Sequence, residues 1–152
     1  MKFIASCILG LCFVQLYACN SYSSNHQASH SAIVANTDTM KLKITVGDKD
    51  FTTILENNET VSAFKSKLPL TMNMKELNGN EKYGELPGKL PTNASNPGTI
   101  QAGDLMLYGS NTVVLFYKTF STSYSYTRLG RIEDVSGLAD ALGSGDVTVK
   151  LE

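Results

Sequence analysis

The chain has 152 residues, of which 42% are hydrophobic and 18% charged, and its 13 basic and 14 acidic side chains leave a formal net charge of -1. This composition fits one globular domain with an appendage, and excludes a disordered chain or one embedded throughout in a membrane. No basic run or arginine stripe offers the counterion-releasing surface that a phosphate backbone rewards, so no nucleic-acid partner is expected.

The rare residues are unevenly placed. Cys7, Cys12 and Cys19 fall in the first nineteen positions, His26 and His30 follow soon after, and from Met40 onward there is no Cys, His or Trp. A Ser-His-Asp or Cys-His nucleophile, a Cys/His zinc site or a His- or Cys-ligated haem therefore cannot be built from that part of the chain. No metal site and no cofactor are expected there. What remains is carboxylates, hydroxyls, amides, lysines, tyrosines and two arginines, Arg128 and Arg131.

In chain order, Met1-Lys2 precede an apolar stretch from Phe3 to Leu16, long enough for the h-region of a signal peptide and short of the ~20 residues a spanning helix needs. Residues 1–18 are expected to be a signal peptide. Leu16-Tyr17-Ala18-Cys19 resembles the lipobox of bacterial lipoproteins, although Tyr17 is bulkier than that pattern's usual small residue. The resemblance implies lipidation of Cys19 after cleavage and a membrane partner held through acyl chains; the other reading is ordinary cleavage after Ala18. Asn20 is not the aspartate that retains some lipoproteins in the inner membrane, which points to the outer one. The Ser/Asn-rich residues 19–39 read as a flexible tether, His26 and His30 being solvated parts of it.

Residues 40–152 read as the folded domain. Leu42, Ile44 and Val46 alternate with polar residues, and Gly47-Asp48-Lys49-Asp50 turns the chain toward Phe51 to Leu55, a β-hairpin. Asn57-Asn58 can cap a helix of roughly ten residues with Val61, Phe64 and Leu68 on one face, stopped by Pro69. Leu70, Met72 and Met74 alternate again, with the methionines expected in the core. Lys75 to Thr99, with Asn78-Gly79 and three of the four prolines, reads as a long ordered loop or a set of short extended pieces. Leu105 to Tyr108 and Thr112 to Lys118 form a second hairpin, Tyr124 to Ile132 a further strand, Ser136 to Leu142 a helix capped by Ser136 and ended by Gly143, and Val147 to Leu151 a last strand. A mainly β chain of this size must hide its sheet edges, and closure into a barrel of about eight strands with two short helices does so.

Several segments together carry a family likeness: Leu68-Pro69-Leu70, Asn78-Gly79-Asn80-Glu81-Lys82-Tyr83, Pro97-Gly98-Thr99-Ile100, Gly103-Asp104-Leu105-Met106-Leu107-Tyr108-Gly109, Leu115-Phe116-Tyr117 and Ser125-Tyr126-Thr127-Arg128-Leu129-Gly130. From Lys41 to Glu152 the chain resembles the bacterial cyclophilin-like domain family. The resemblance implies a closed eight-stranded cyclophilin-like β-barrel in an exported protein, and carries no defined activity. Ile100-Gln101-Ala102-Gly103-Asp104 is similar to a cyclophilin strand segment. The arginine that precedes that segment in cyclophilins has no counterpart, since no arginine occurs before Arg128, and the tryptophan and histidine of the isomerase pocket are missing.

The candidate ligand-binding residues are Asn80, Glu81, Tyr83, Tyr124, Tyr126 and Arg128. In a regular strand Tyr124, Tyr126 and Arg128 share a face, where phenols and a guanidinium can stack on and hydrogen-bond a ligand; the same row also suits an aromatic ladder covered by an ion pair to Glu133 or Asp134. Asn80, Glu81 and Tyr83 bring an amide, a carboxylate and a phenol to a turn-rich stretch. Glu81 is a general base only if burial raises its pKa, and is otherwise a loop residue bonding backbone amides. Asp104 is expected to fix the turn that launches its strand. Three functions remain open: an envelope-tethered, non-enzymatic module binding a peptide or small molecule; a weak prolyl isomerase or other carboxylate-dependent enzyme; and a subunit whose tyrosines meet another protein.

Overall fold

A computed structural model describes residues 40–152. The expected signal peptide 1–18, the lipidation site Cys19 and the tether 19–39 lie outside the described residues. The elements in order are β1 (Lys41–Val46), β2 (Lys49–Leu55), α1 (Glu59–Lys65), β3 (Leu70–Leu77), β4 (Glu81–Glu85), β5 (Thr99–Ile100), β6 (Asp104–Tyr108), β7 (Thr112–Phe116), β8 (Phe120–Ser121), β9 (Thr127–Ile132), α2 (Leu138–Leu142) and β10 (Val147–Leu151). Eight of these strands close into an antiparallel barrel in the order β1-β10-β3-β4-β7-β6-β9-β2, and β2 pairs back onto β1. Closure satisfies both edges of every barrel strand, as the alternating strands require.

The inward positions follow the two-residue period. Leu42, Ile44 and Val46 of β1 meet Phe51 and Leu55 of β2, Met72 and Met74 of β3, Leu105 and Leu107 of β6, Val113 and Leu115 of β7 and Val149 and Leu151 of β10 in one cluster, which Val61 and Phe64 of α1 and Leu138 and Leu142 of α2 complete. At β9 the register slips: Leu105 opposes Gly130 but Met106 opposes Arg128, so Leu129 is an extra residue, a bulge that bends the strand. A Cβ on Gly130 would stand 2.4 Å from the Ile54 carbonyl oxygen, so only glycine lets β9 lie this close to β2.

Of the two readings of Lys75 to Thr99, the structure shows short extended pieces and not one long loop. β3 continues to Leu77, turns through Asn78 and Gly79 at φ 55° and 68°, and returns as β4. Alternation could not reveal β4, because its inward positions are Lys82 and Gly84. A Cβ on Gly84 would stand 2.8 Å from Met72 Cε, so glycine makes room for the methionine. Lys82 is fully buried, pairs with Glu76 and donates to the carbonyls of Gly143 at 2.8 Å and Gly145 at 2.6 Å. Burial alone would raise the Glu76 carboxyl, but hydrogen bonds from Lys82, the Tyr117 hydroxyl and the Gly79 N–H outweigh it and hold the group below its usual range. Past β4, Leu86 and Leu90 anchor the segment in the core.

β6 and β7 are apolar on both faces because both are covered. Their outward Met106, Val114 and Phe116 form a second cluster with Ile100 and Tyr126. These last two belong to a strap of two segments, joined where Ile100 of β5 pairs with Phe120 of β8 and where Ser95 and Tyr126 exchange N–H···O bonds of 3.0 Å. Burying a large apolar side chain stabilises by roughly 1.5–3 kcal/mol and a hydrogen bond by about 1 kcal/mol net, so apolar contact is what holds the strap down.

Three boundaries differ from expectation. Tyr124 is not in a strand and Tyr126 makes only an isolated bridge, β9 starting at Thr127. α1 has seven residues and is capped by Asn58, whose side chain accepts the Val61 N–H at 2.8 Å. α2 begins after Gly137, not Ser136, and the Ser136 N–H donates to Asp134 Oδ1 at 2.9 Å in the preceding turn.

Candidate functional site

Since Lys82 and Gly84 point inward, Glu81 and Tyr83 point outward, onto the face that the strap only partly covers. The uncovered part is a groove of about 540 Å³, within the range typical of ligand sites. Glu81, Tyr83, Val114 and Tyr126 line it, together with strap residues from Phe120 to Tyr124, and Leu77, Asn78 and Asn80 and, separately, Tyr108 and Thr112 contribute from barrel strands and turns.

Its aromatic rings form a connected set. Tyr108 stands 6.1 Å from Tyr124 at an interplanar angle of 87° and 5.7 Å from Tyr126 at 52°, and Tyr126 meets Phe116 edge-on at 5.5 Å. Phe116 in turn packs on Phe120 at 5.8 Å. Tyr126 is 6% exposed whereas Tyr124 is 61% exposed, so the set runs from a buried root to an open rim.

The polar groups of the groove are incompletely satisfied. Glu81 is 9% exposed, and among the described residues its carboxylate has no hydrogen-bond or ion-pair partner. Burial raises its pKa above the ordinary 4.5, and the Glu76 charge adds to the effect. The Asn80 Oδ1 atom is buried without a partner, although the Asn80 backbone carbonyl accepts the Tyr117 N–H at 3.0 Å. Burial also raises the Tyr126 phenol, with the Glu81 charge second. Desolvated acceptors left without donors inside a cleft are a costly arrangement that ligand sites retain.

Five of the six candidates, Asn80, Glu81, Tyr83, Tyr124 and Tyr126, thus line one groove. Arg128 does not. The expected common face of Tyr124, Tyr126 and Arg128 is absent because the chain enters β9 only after Tyr126. Arg128 lines a separate depression of about 250 Å³ with Asn58, Asn93 and Ser95. Its nearest counter-charge is not Glu133 or Asp134 but Asp104, 3.9 Å away.

Asp104 is fully buried, takes the Arg131 Nε–H at 2.6 Å and accepts the Gln101 N–H at 2.9 Å. It fixes the turn, as expected, and gathers both arginines as well. Glu81 sits in a strand and not in a loop bonding amides. Tyr108 and Phe120 are among the groove residues that sequence reasoning missed; for Tyr108 the signal was its parity with the outward Met106. Among the described residues no three His, Cys, Asp or Glu side chains are grouped to hold a metal ion.

A family model described as the cyclophilin-like family matches residues 44–152. The chain belongs to the cyclophilin-like family. Among solved structures, the solution structure of a hypothetical protein from Archaeoglobus fulgidus is similar, with a TM-score of 0.57 and 19% identity over 74% of this chain and 93% of that one. At that identity the likeness is one of fold. No curated protein matches the chain significantly. What this cyclophilin-like barrel can bind is therefore read from the groove itself.

The raised Glu81 pKa has a consequence for stability. The folded chain holds this proton more tightly than the unfolded chain, so the folded state is favoured at pH below the unfolded value and loses that advantage as pH rises through the folded one. Glu81→Gln removes the loss. Its urea midpoint is expected to exceed that of the wild type at pH 7, with the difference vanishing below about pH 4. A variant that is no more stable at pH 7 contradicts a desolvated, unpaired Glu81.

Proposed function

We propose that the protein is a non-enzymatic binding module and that its groove takes a peptide segment or a small molecule. The observation that carries this reading is the largely buried Glu81 carboxylate, which has no protein partner and lines a cavity of ligand size beside the buried, unpaired Asn80 Oδ1. Folding alone gives no reason to keep them there, and proteins retain such destabilising groups where they serve function. Binding without turnover is supported by the chemistry of the lining, which has one carboxylate and no histidine or cysteine to activate a hydroxyl. Prolyl isomerisation loses support from the arginines, since both Arg128 and Arg131 are directed to Asp104 outside the groove.

The binding test is a thermal-shift screen of peptides and metabolites against the full-length chain, repeated with Thr112→Trp. Thr112 lines the groove from β7, and an indole there occupies ligand space on a strand that tolerates aromatics. Compounds that raise the melting temperature of the wild type are expected to lose their effect on the variant. Hits that stabilise both proteins equally bind elsewhere and count against the groove.

The same reading holds the module at the cell envelope, in the outer membrane, through a lipid on Cys19. Its support is the Leu16-Tyr17-Ala18-Cys19 pattern after an apolar segment. Cys19→Ala is expected to release the protein from the membrane fraction, and unchanged fractionation refutes the anchor.

A further inference from the structure

The groove's lining is one-sided in charge. Of the described residues that line it none is basic, and its one ionisable carboxylate is Glu81. Lys75, which stands opposite Tyr83 on β3, makes no ion pair with that carboxylate. An ionised carboxylate accepts hydrogen bonds and donates none. An anionic ligand would meet repulsion there. A purely apolar one would strip water from Glu81 and give nothing back, which is the costly case for a buried charge.

The walls have the opposite complement. Tyr108, Tyr124 and Tyr126, in contact with one another, all line the groove, and aromatic rings attract cations at their faces. A primary alkylammonium brings three N–H donors that the Glu81 carboxylate can accept, and its alkyl stem presents a hydrophobic surface to the rings. A bare metal ion needs several oxygen ligands, and the described residues do not group them.

Resting on the binding-module reading, we infer that the groove recognises an alkylammonium group carried on an apolar body, with Glu81 as its counter-charge and Tyr108, Tyr124 and Tyr126 as its aromatic walls. Such a group is presented by a free small amine or by the lysine side chain of a peptide, and the groove's volume admits either.

The full-length chain, labelled with 15N, tests this by NMR titration with choline, with 3,3-dimethylbutan-1-ol as its uncharged isostere, and with the tripeptide Ala-Lys-Ala beside its norleucine analogue. A cation is expected to bind about tenfold more tightly than its neutral partner and to shift the amides of Glu81, Tyr83 and Tyr108. Glu81→Gln is expected to reduce the preference severalfold while leaving the neutral affinity in place. Tyr124→Leu, at an exposed position, is expected to weaken the cation severalfold without loss of fold. Tighter binding of choline assigns a small amine, and tighter binding of the lysine peptide assigns a peptide.

Equal affinity for charged and neutral partners, or a groove occupied only by anions, overturns the cation assignment while the groove stays a binding site. Amides that respond to none of these probes, and to no compound in the thermal-shift screen, sink the binding site itself.

Discussion

Removing a lysine ammonium from water is tolerable only when each of its N–H groups finds an acceptor, and inside the barrel Lys82 finds three: the Glu76 carboxylate and the carbonyls of Gly143 and Gly145. These contacts tie β4 to β3 and to the turn between α2 and β10. They also decide which way β4 faces. A slip of one residue would expel the ammonium from its cage and drive Glu81 and Tyr83 into the apolar interior. The buried charge thereby specifies a register in which Glu81 and Tyr83 must look outward, so the polar and aromatic character of the groove follows from the packing on the other side of the sheet.

The groove exists because the outer face of β4, β7 and β6 is covered only in part. Met106, Val114 and Phe116 hold the strap by its buried Ile100 and Tyr126, and the Ser95 and Tyr126 hydrogen bonds fix its edge. Beyond that anchored root, the segment from Phe120 to Tyr124 stands as a wall over Glu81. Tyr126 thus has two roles: its burial secures the strap, and its ring continues the aromatic set that Tyr108 and Tyr124 carry to the rim. The asymmetry of the two glutamates follows from the same alternation. Glu76, on the inward side, keeps its charge through Lys82 and Tyr117, whereas Glu81, on the outward side, is largely buried with apolar Leu77 and Phe116 opposite it.

Much of the fold was legible where one physical signal acted alone. Lys41 to Val46 alternates because one face is buried, and closure followed from the need to satisfy strand edges. β4 was hidden because Glu81-Lys82-Tyr83-Gly84-Glu85 inverts the usual pattern, with a lysine and a glycine inward, and only a tertiary cage makes that favourable. The spacing of Tyr124, Tyr126 and Arg128 misled for a different reason: parity implies a shared face only within a strand, and the strand begins at Thr127. Asn80, Glu81 and Tyr83 were recognisable from local chemistry. Tyr108 and Phe120 were not, since their place beside Glu81 depends on strand order and on the strap.

The Lys82 cage holds the register of β4, and urea unfolding measures it directly. Lys82→Ala leaves Glu76 and two carbonyls without their donor and is expected to lose about 3 kcal/mol of stability, whereas the paired replacement Lys82→Met with Glu76→Leu is expected to recover most of that loss. A Lys82→Ala protein within about 0.5 kcal/mol of the wild type, the range of an ordinary surface substitution, would contradict the claim that this buried ammonium sets the face of β4 and with it the groove.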